Sequence, residues 1–294
     1  MRALLPLLLA AALTPAARAD EVPGLARSEV IYGRKFGTAL TLDVLQPART
    51  NGYGVVSVVS GGFYSSHEGI HPGALRPILD RGYTVFAVVH GSQPRFTIPE
   101  IKEDLHRAVR WIRSNAARHG VRADRLGVFG SSAGGHLSLT LGVEGGPGDP
   151  LAKDPGDRES SAVQAVACFF PPTDFENWGR PGDTQVGVGR VGRAFHGAFG
   201  PRSETAEERA RLGPEISPVR KVSATTPPCL LIHGDADGLV PIYQARIFVD
   251  RMSAVGAISR LIVKPGADHG WSGIEKDLVH FADWYDEHLR GLKR

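Results

Sequence analysis

Long hydrophobic runs, cysteine and surplus charge of one sign are what this 294-residue sequence has little of. The apolar run from Ala3 to Leu13 is broken by Pro6 and falls short of the roughly 20 residues a membrane-spanning helix needs, so no membrane insertion is expected. With Arg2 before it and the small-x-small Ala17-Arg18-Ala19 after it, the run predicts a secretory signal peptide over residues 1–19. The mature chain then starts near Asp20, in the periplasm or outside the cell. No cysteine stands near that cut, so a lipid-anchored form is not expected. The formal charge is +3, and removing Arg2 and Arg18 leaves 32 Lys+Arg against 31 Asp+Glu, a net +1. That balance provides no basic surplus for phosphate backbones and excludes nucleic acid as an expected partner. Only Cys168 and Cys229 are present, each inside an apolar run that reads as a buried strand. A disulfide needs Cβ atoms at roughly 4 Å with converging vectors. Neighbouring parallel strands seldom supply this, so two free thiols are expected and a bridge is the alternative.

What is present is an alternation. "SEVIYGR" and "LTLDVLQP" read as an antiparallel opening pair joined near Gly37. Short apolar runs follow at 55–60, 84–89, 125–130, 163–170, 229–234 and 260–265, as expected of parallel strands covered on both faces. Helical periodicity lies between most of them. Ile98, Ile101, Leu105, Ala108, Val109, Ile112 and Ala116 predict a helix over 98–119, and Ile274, Leu278, Phe281, Tyr285 and Leu289 predict a last one over about 272–289. The fold class is therefore α/β: a mostly parallel central sheet with helices on both faces, in a single domain over 20–294. The turn-rich stretches 143–161 and 171–222 read as insertions leaving the C-terminal ends of strands, where open α/β sheets place ligand-contacting loops.

Chemistry concentrates in "RLGVFGSSAGGHL", where Gly130-Ser131-Ser132-Ala133-Gly134 is G-x-S-x-G between an apolar strand and a helical pattern. Such a turn lifts the serine hydroxyl above the sheet and aims a helix N-terminus at charge forming there. Ser132 is the candidate nucleophile. Ser131, with Phe129 two places before it, is the rival. A serine hydroxyl needs a base, and the base needs an orienting carboxylate, in the chain order Ser, Asp, His. "CLLIHGDADGLVP" offers Asp235 and Asp237 beyond a strand, and "RLIVKPGADHGW" offers His269 beyond the next. Asp237 lies farther into its loop and is preferred over Asp235.

On "GSSAGGHL", "HGDADGLVP" and "DHGW", the chain resembles the α/β-hydrolase esterase/lipase group, which includes hormone-sensitive-lipase-like, acetyl xylan and feruloyl esterases, over about residue 28 to the end. The resemblance implies Ser132, Asp237 and His269 as catalytic triad. It also implies an oxyanion loop, H-G-G-x-[WFY] in the group and Ser60-Gly61-Gly62-Phe63-Tyr64 here. The main-chain N–H groups of Gly62, Phe63 and Ala133 are then the expected oxyanion donors. Ser60 stands where the group has a histidine, and is expected to brace the loop more weakly.

The same stretch contains His67-Glu68-x-x-His71, a string that in zinc peptidases sits on a regular helix with both histidines on one face. Gly69 between them and Pro72 after them oppose a helix here. No metal and no cofactor are expected, and His67 and His71 read as loop residues. The implied activity is a secreted serine carboxylesterase working through an acyl-enzyme on a small-molecule or polysaccharide-linked ester, with acetyl or feruloyl groups of plant polysaccharide as candidates. A peptidase or arylformamidase on the same triad, or a non-catalytic binding protein, are the alternatives.

Overall fold

The computed structural model describes residues 22–292; the signal-peptide expectation for 1–19 lies outside the described residues. Eight strands form one sheet: β1 (Leu25–Lys35), β2 (Thr38–Pro47), β3 (Gly54–Val59), β4 (Thr84–Val89), β5 (Leu126–Ser131), β6 (Ala165–Phe169), β7 (Cys229–Gly234) and β8 (Ser259–Lys264). Their spatial order is β1-β2-β4-β3-β5-β6-β7-β8. β1 and β2 run antiparallel, β2 joins β4 antiparallel, and the six strands from β4 to β8 are mutually parallel.

The apolar runs lack polar alternation because both faces are covered. Val56, Val58, Val128 and Val166 pack under α2 (Ile98–Ser114), α3 (Ala133–Glu144) and later helices, whereas Val55, Val85, Phe129 and Ile232 pack under α1 (Arg76–Leu79) and α8 (Leu278–His288). A capping box of Thr97 and Glu100 starts α2. The helix predicted over 98–119 stops being α-helical at Ser114. It continues through Asn115 into a 3-10 turn, Ala116–His119, that exits through Gly120 at φ 63°. The helix predicted over 272–289 is likewise divided: Gly273, at φ 75°, is followed by a 3-10 turn, Ile274–Asp277, and only then by α8. Both thiols are free and buried. Cys229 stands opposite Val166 and Cys168 opposite Leu231, so the two cysteines are not register partners.

The two irregular stretches go to different places. Residues 171–222 fold into α4 (Gly189–Ala194), α5 (His196–Phe199) and α6 (Ala206–Ile216), and Phe175, Trp178, Phe195 and Phe199 reach the end of β5. Residues 143–161, expected to leave a strand end, instead leave the far end of α3. That helix has already run back from the C-terminal edge of the sheet, so the stretch packs along α2, with His106 Nδ1 3.0 Å from Ser161 Oγ and Arg110 3.3 Å from Asp157. This placement corrects the expectation that both stretches belong to the ligand-facing edge.

Candidate active site

β5 ends at Ser131, α3 begins at Ala133, and Ser132 between them has φ 53° and ψ −121°. A left-handed serine costs on the order of 1–3 kcal/mol, the kind of strain that persists where its surroundings over-determine it. Here they do. A Cβ on Gly130 would lie 2.5 Å from the Gly134 carbonyl carbon, and one on Gly134 would lie 2.6 Å from the Val58 oxygen, so the flanking glycines are required by contact. The Ser132 N–H donates to Phe169 O at 3.0 Å, which ties the elbow to β6.

The three residues predicted as a triad are in hydrogen-bonding contact. His269 Nε2 lies 2.9 Å from Ser132 Oγ, and His269 Nδ1 lies 2.8 Å from Asp237 Oδ2. Asp237 is 7% exposed, and its Oδ1 accepts the N–H groups of Leu239 and Val240 at 2.9 and 2.8 Å. Burial alone would raise its carboxyl pKa. Hydrogen bonds from His233, His269 and the Val240 main chain outweigh that and hold it well below the usual carboxylate range. The rival Asp235 is exposed and accepts the Gly266 N–H at 2.6 Å, fastening β7's loop to β8's instead of facing His269.

Three supports were not singled out in the sequence. His233, fully buried on β7, places Nε2 2.8 Å from Val240 O and 3.3 Å from Asp237 Oδ2, so the carboxylate lies between two imidazoles. Asp268 Oδ1 accepts both the Gly238 and His269 N–H groups, at 2.9 and 2.7 Å, and so joins the loops that carry the acid and the base. Phe170, at φ 35°, lays its ring 4.4 Å from the His269 ring. The adjacent Asp268-His269 pair was a readable signal for one of these; the other two depend on contacts between distant strand ends.

Beside the elbow, Gly62 and Phe63 have φ 55° and 65°, in a turn closed by reciprocal main-chain bonds between Gly61 and Tyr64 at 3.0 and 2.9 Å. Gln93 clamps the turn: its side chain donates to Gly62 O at 2.5 Å and its main chain to Phe63 O at 3.2 Å. The hydroxyl of Ser60 is buried without a hydrogen-bond partner, so it does not brace the loop as expected; Gln93 does. No acceptor among the described residues takes the N–H of Gly62, Phe63 or Ala133. These three residues and Ser132 border a cavity of about 20 Å³ closed by Phe175, Trp178, Phe195 and Leu239. On the other side of the turn a groove of about 660 Å³ runs past Ser60, Tyr64, His71, Ser131 and Glu275.

The H-E-x-x-H string does not form a two-histidine site. His67–Gly69 is a single 3-10 turn, His67 turns toward β2, and His71 lines the groove. Geometrically the arrangement can activate a hydroxyl, carry a proton to an imidazole and receive a small anionic oxygen on main-chain donors.

Comparison with known proteins gives concordant results. The BD-FAE family model matches residues 42–252. The probable carboxylic ester hydrolase LipM of Mycobacterium tuberculosis is 29% identical over 242 residues, covering 77% of this chain and 52% of that protein. Esterase LipC of the same organism is 28% identical over 198 residues, 67% of this chain and 47% of that protein. The chain thus spans about half the length of these curated relatives. Among solved structures, a truncated carbohydrate esterase from gut microbiota superposes with a TM-score of 0.74 at 23% identity, over 88% of this chain and 95% of that one. Esterase 2 of Thermogutta terrifontis, phosphonylated by sarin, superposes with 0.70 at 24% identity, over 91% and 95%. At these identities the superpositions speak for the fold.

Proposed function

The chain belongs to the BD-FAE family of the α/β-hydrolase esterase group, and from that premise we propose that it is a secreted serine esterase that removes acetyl-sized acyl groups from hydroxyl-rich alcohols such as sugars. The observation that carries the reading is the continuous hydrogen-bond chain Ser132–His269–Asp237, at 2.9 and 2.8 Å, beside uncommitted main-chain donors. Ser132 Oγ attacks the ester carbonyl while His269 Nε2 takes its proton. Asp237 keeps the second imidazole proton on Nδ1 and steadies the imidazolium. The oxyanion settles on the N–H groups of Gly62, Phe63 and Ala133. His269 returns the proton to the departing alkoxide, and water then repeats the sequence on the acyl-enzyme. No cofactor enters these steps.

The choice of acyl group rests on size. The cavity beside the donors is small and walled by the aromatic rings of Phe175, Trp178, Phe195 and Phe199, which favours a short acyl group. A feruloyl ring would have to displace Phe175, Trp178 or Phe195. The groove past Ser60, Tyr64, Ser131 and Glu275 is walled mostly by apolar side chains such as Val59, Leu75, Phe129, Phe169 and Ile274, and it is assigned to neither half of the ester. The test is a panel of p-nitrophenyl acetate, butyrate and octanoate with acetylated and feruloylated sugars. Unaccommodated methylenes are each worth roughly 10- to 200-fold, so kcat/KM is expected to fall steeply beyond acetate. A preference for octanoate or feruloyl esters would contradict the acyl assignment, and turnover of aminoacyl anilides alone would contradict ester hydrolysis.

A further inference from the structure

A second cluster of ligating side chains lies outside the esterase site. β1 and β2 pair in a register that sets Glu29 directly opposite Asp43. Two carboxylates in that relation repel each other and weaken the pairing unless a cation compensates. Arg27 supplies part of the compensation, with its guanidinium 2.5 Å from Asp43 Oδ2. The other oxygen, Oδ1, is left without a hydrogen-bond partner on a residue only 2% exposed. Over this oxygen the chain lays the first histidine of the His67-Glu68-x-x-His71 string.

The His67 ring is oriented by Thr41, whose Oγ1 lies 2.7 Å from Nε2. With the Nε2 proton donated there, Nδ1 presents its lone pair 3.2 Å from Asp43 Oδ1. Glu29 Oε1 is 3.4 Å from the ring's Nε2, and one ligand atom from each of Glu29, Asp43 and His67 can be chosen so that all lie within 4.8 Å of one another. The 3.2 Å between Nδ1 and Asp43 Oδ1 exceeds the roughly 2.7–2.9 Å of charge-assisted hydrogen bonds. It matches the edge, about 3.3 Å, of a tetrahedron with metal–ligand bonds of about 2.0–2.1 Å, and the exposed Glu29 side chain, now 3.4 Å from Nε2, swings to the Nδ1 side to complete the set. A histidine whose second nitrogen is committed to an oxygen is also how metal-bound imidazoles are held.

We propose that Glu29, Asp43 and His67 hold one divalent first-row transition ion of the zinc type, with water completing its coordination. The ion fastens the segment after the oxyanion turn to the β1–β2 pair. His71 takes no part, so the site differs from the one the H-E-x-x-H string would build, and no step of ester hydrolysis passes through it.

The test uses the purified protein stripped with a chelator and exchanged into metal-free buffer. Titration calorimetry with Zn²⁺ is expected to find one ion per chain, and melting with Zn²⁺ to show a Tm higher by several degrees. His67→Ala, at a half-buried position, and Glu29→Gln, at an exposed one, are expected to lose both effects, and His71→Ala to keep them. Co²⁺ is expected to give tetrahedral d–d absorption in the native protein and none in His67→Ala. Circular dichroism of each variant establishes that it folds. Absence of a zinc-dependent Tm shift in the native protein would overturn the proposal, as would a shift that persists in His67→Ala and Glu29→Gln. A Tm that ignores zinc but depends on pH only while His67 is present would assign the compensating charge to an imidazolium, and would overturn it equally.

Discussion

Asp237 is the residue on which the base depends. Its buried carboxylate accepts the hydrogen bond of His269 Nδ1–H at 2.8 Å, so Asp237→Asn would turn an acceptor into a donor and favour the wrong imidazole tautomer. A kcat loss on the order of 10⁴ is expected, as in the serine-protease precedent, with Asp235→Asn mild; steady-state kinetics of both variants decide. Hydrogen bonds from two histidines hold the Asp237 carboxyl below its usual range despite burial, so it stays ionised at pH values where a free aspartate protonates. Its contribution to stability is therefore complete above the unfolded aspartate pKa, about 3.9, and is lost only as pH falls through the lower native value. The nucleophile and base were legible because motif and chain order single them out. The carboxylate was legible as the preferred one of two, Asp237 over Asp235, from its place farther into the loop; that Asp235 meets Gly266 and Asp237 meets His269 is recorded in no local pattern. Gln93 was not legible at all: it meets Gly62 across 31 residues of sequence, and nothing local records that contact.

At the scale of elements, periodicity placed all eight strands and the two main helices, while their ends followed local turn chemistry that apolar spacing does not encode. Stripe residues such as Ala116 and Ile274 lie in 3-10 turns adjoining the helices proper. Within 171–222, α4 and α5 are short and interrupted by glycine. The longer α6 did leave a signal, Thr205 with Glu208 three residues on, which forms its capping box. The oxyanion turn is the element whose rigidity matters most for rate, since its donors are main-chain groups at φ values of 55° and 65°. Gln93→Ala removes the side-chain clamp while leaving the donors in place. It is expected to lower kcat by roughly 10- to 100-fold, the scale of a misplacement near 1 Å, with KM little changed. Unchanged kcat in a folded variant would mean that the Gly61–Tyr64 bonds suffice.

Across the whole molecule, parallel alternation brings the ends of β5, β7 and β8 to one edge, and so unites Ser132 with His269 across 137 residues of sequence. The sheet's class was readable from the apolar runs. The placement of 143–161 was not, because it depends on the direction in which α3 leaves the edge. The central claim is that Ser132 is the nucleophile of this assembled edge. Treating the protein with a fluorophosphonate probe and mapping the adduct by peptide mass spectrometry tests it most directly. A single adduct on Ser132, absent from a folded Ser132→Ala variant, is expected; an adduct on Ser131, or labelling that survives Ser132→Ala, would contradict the account.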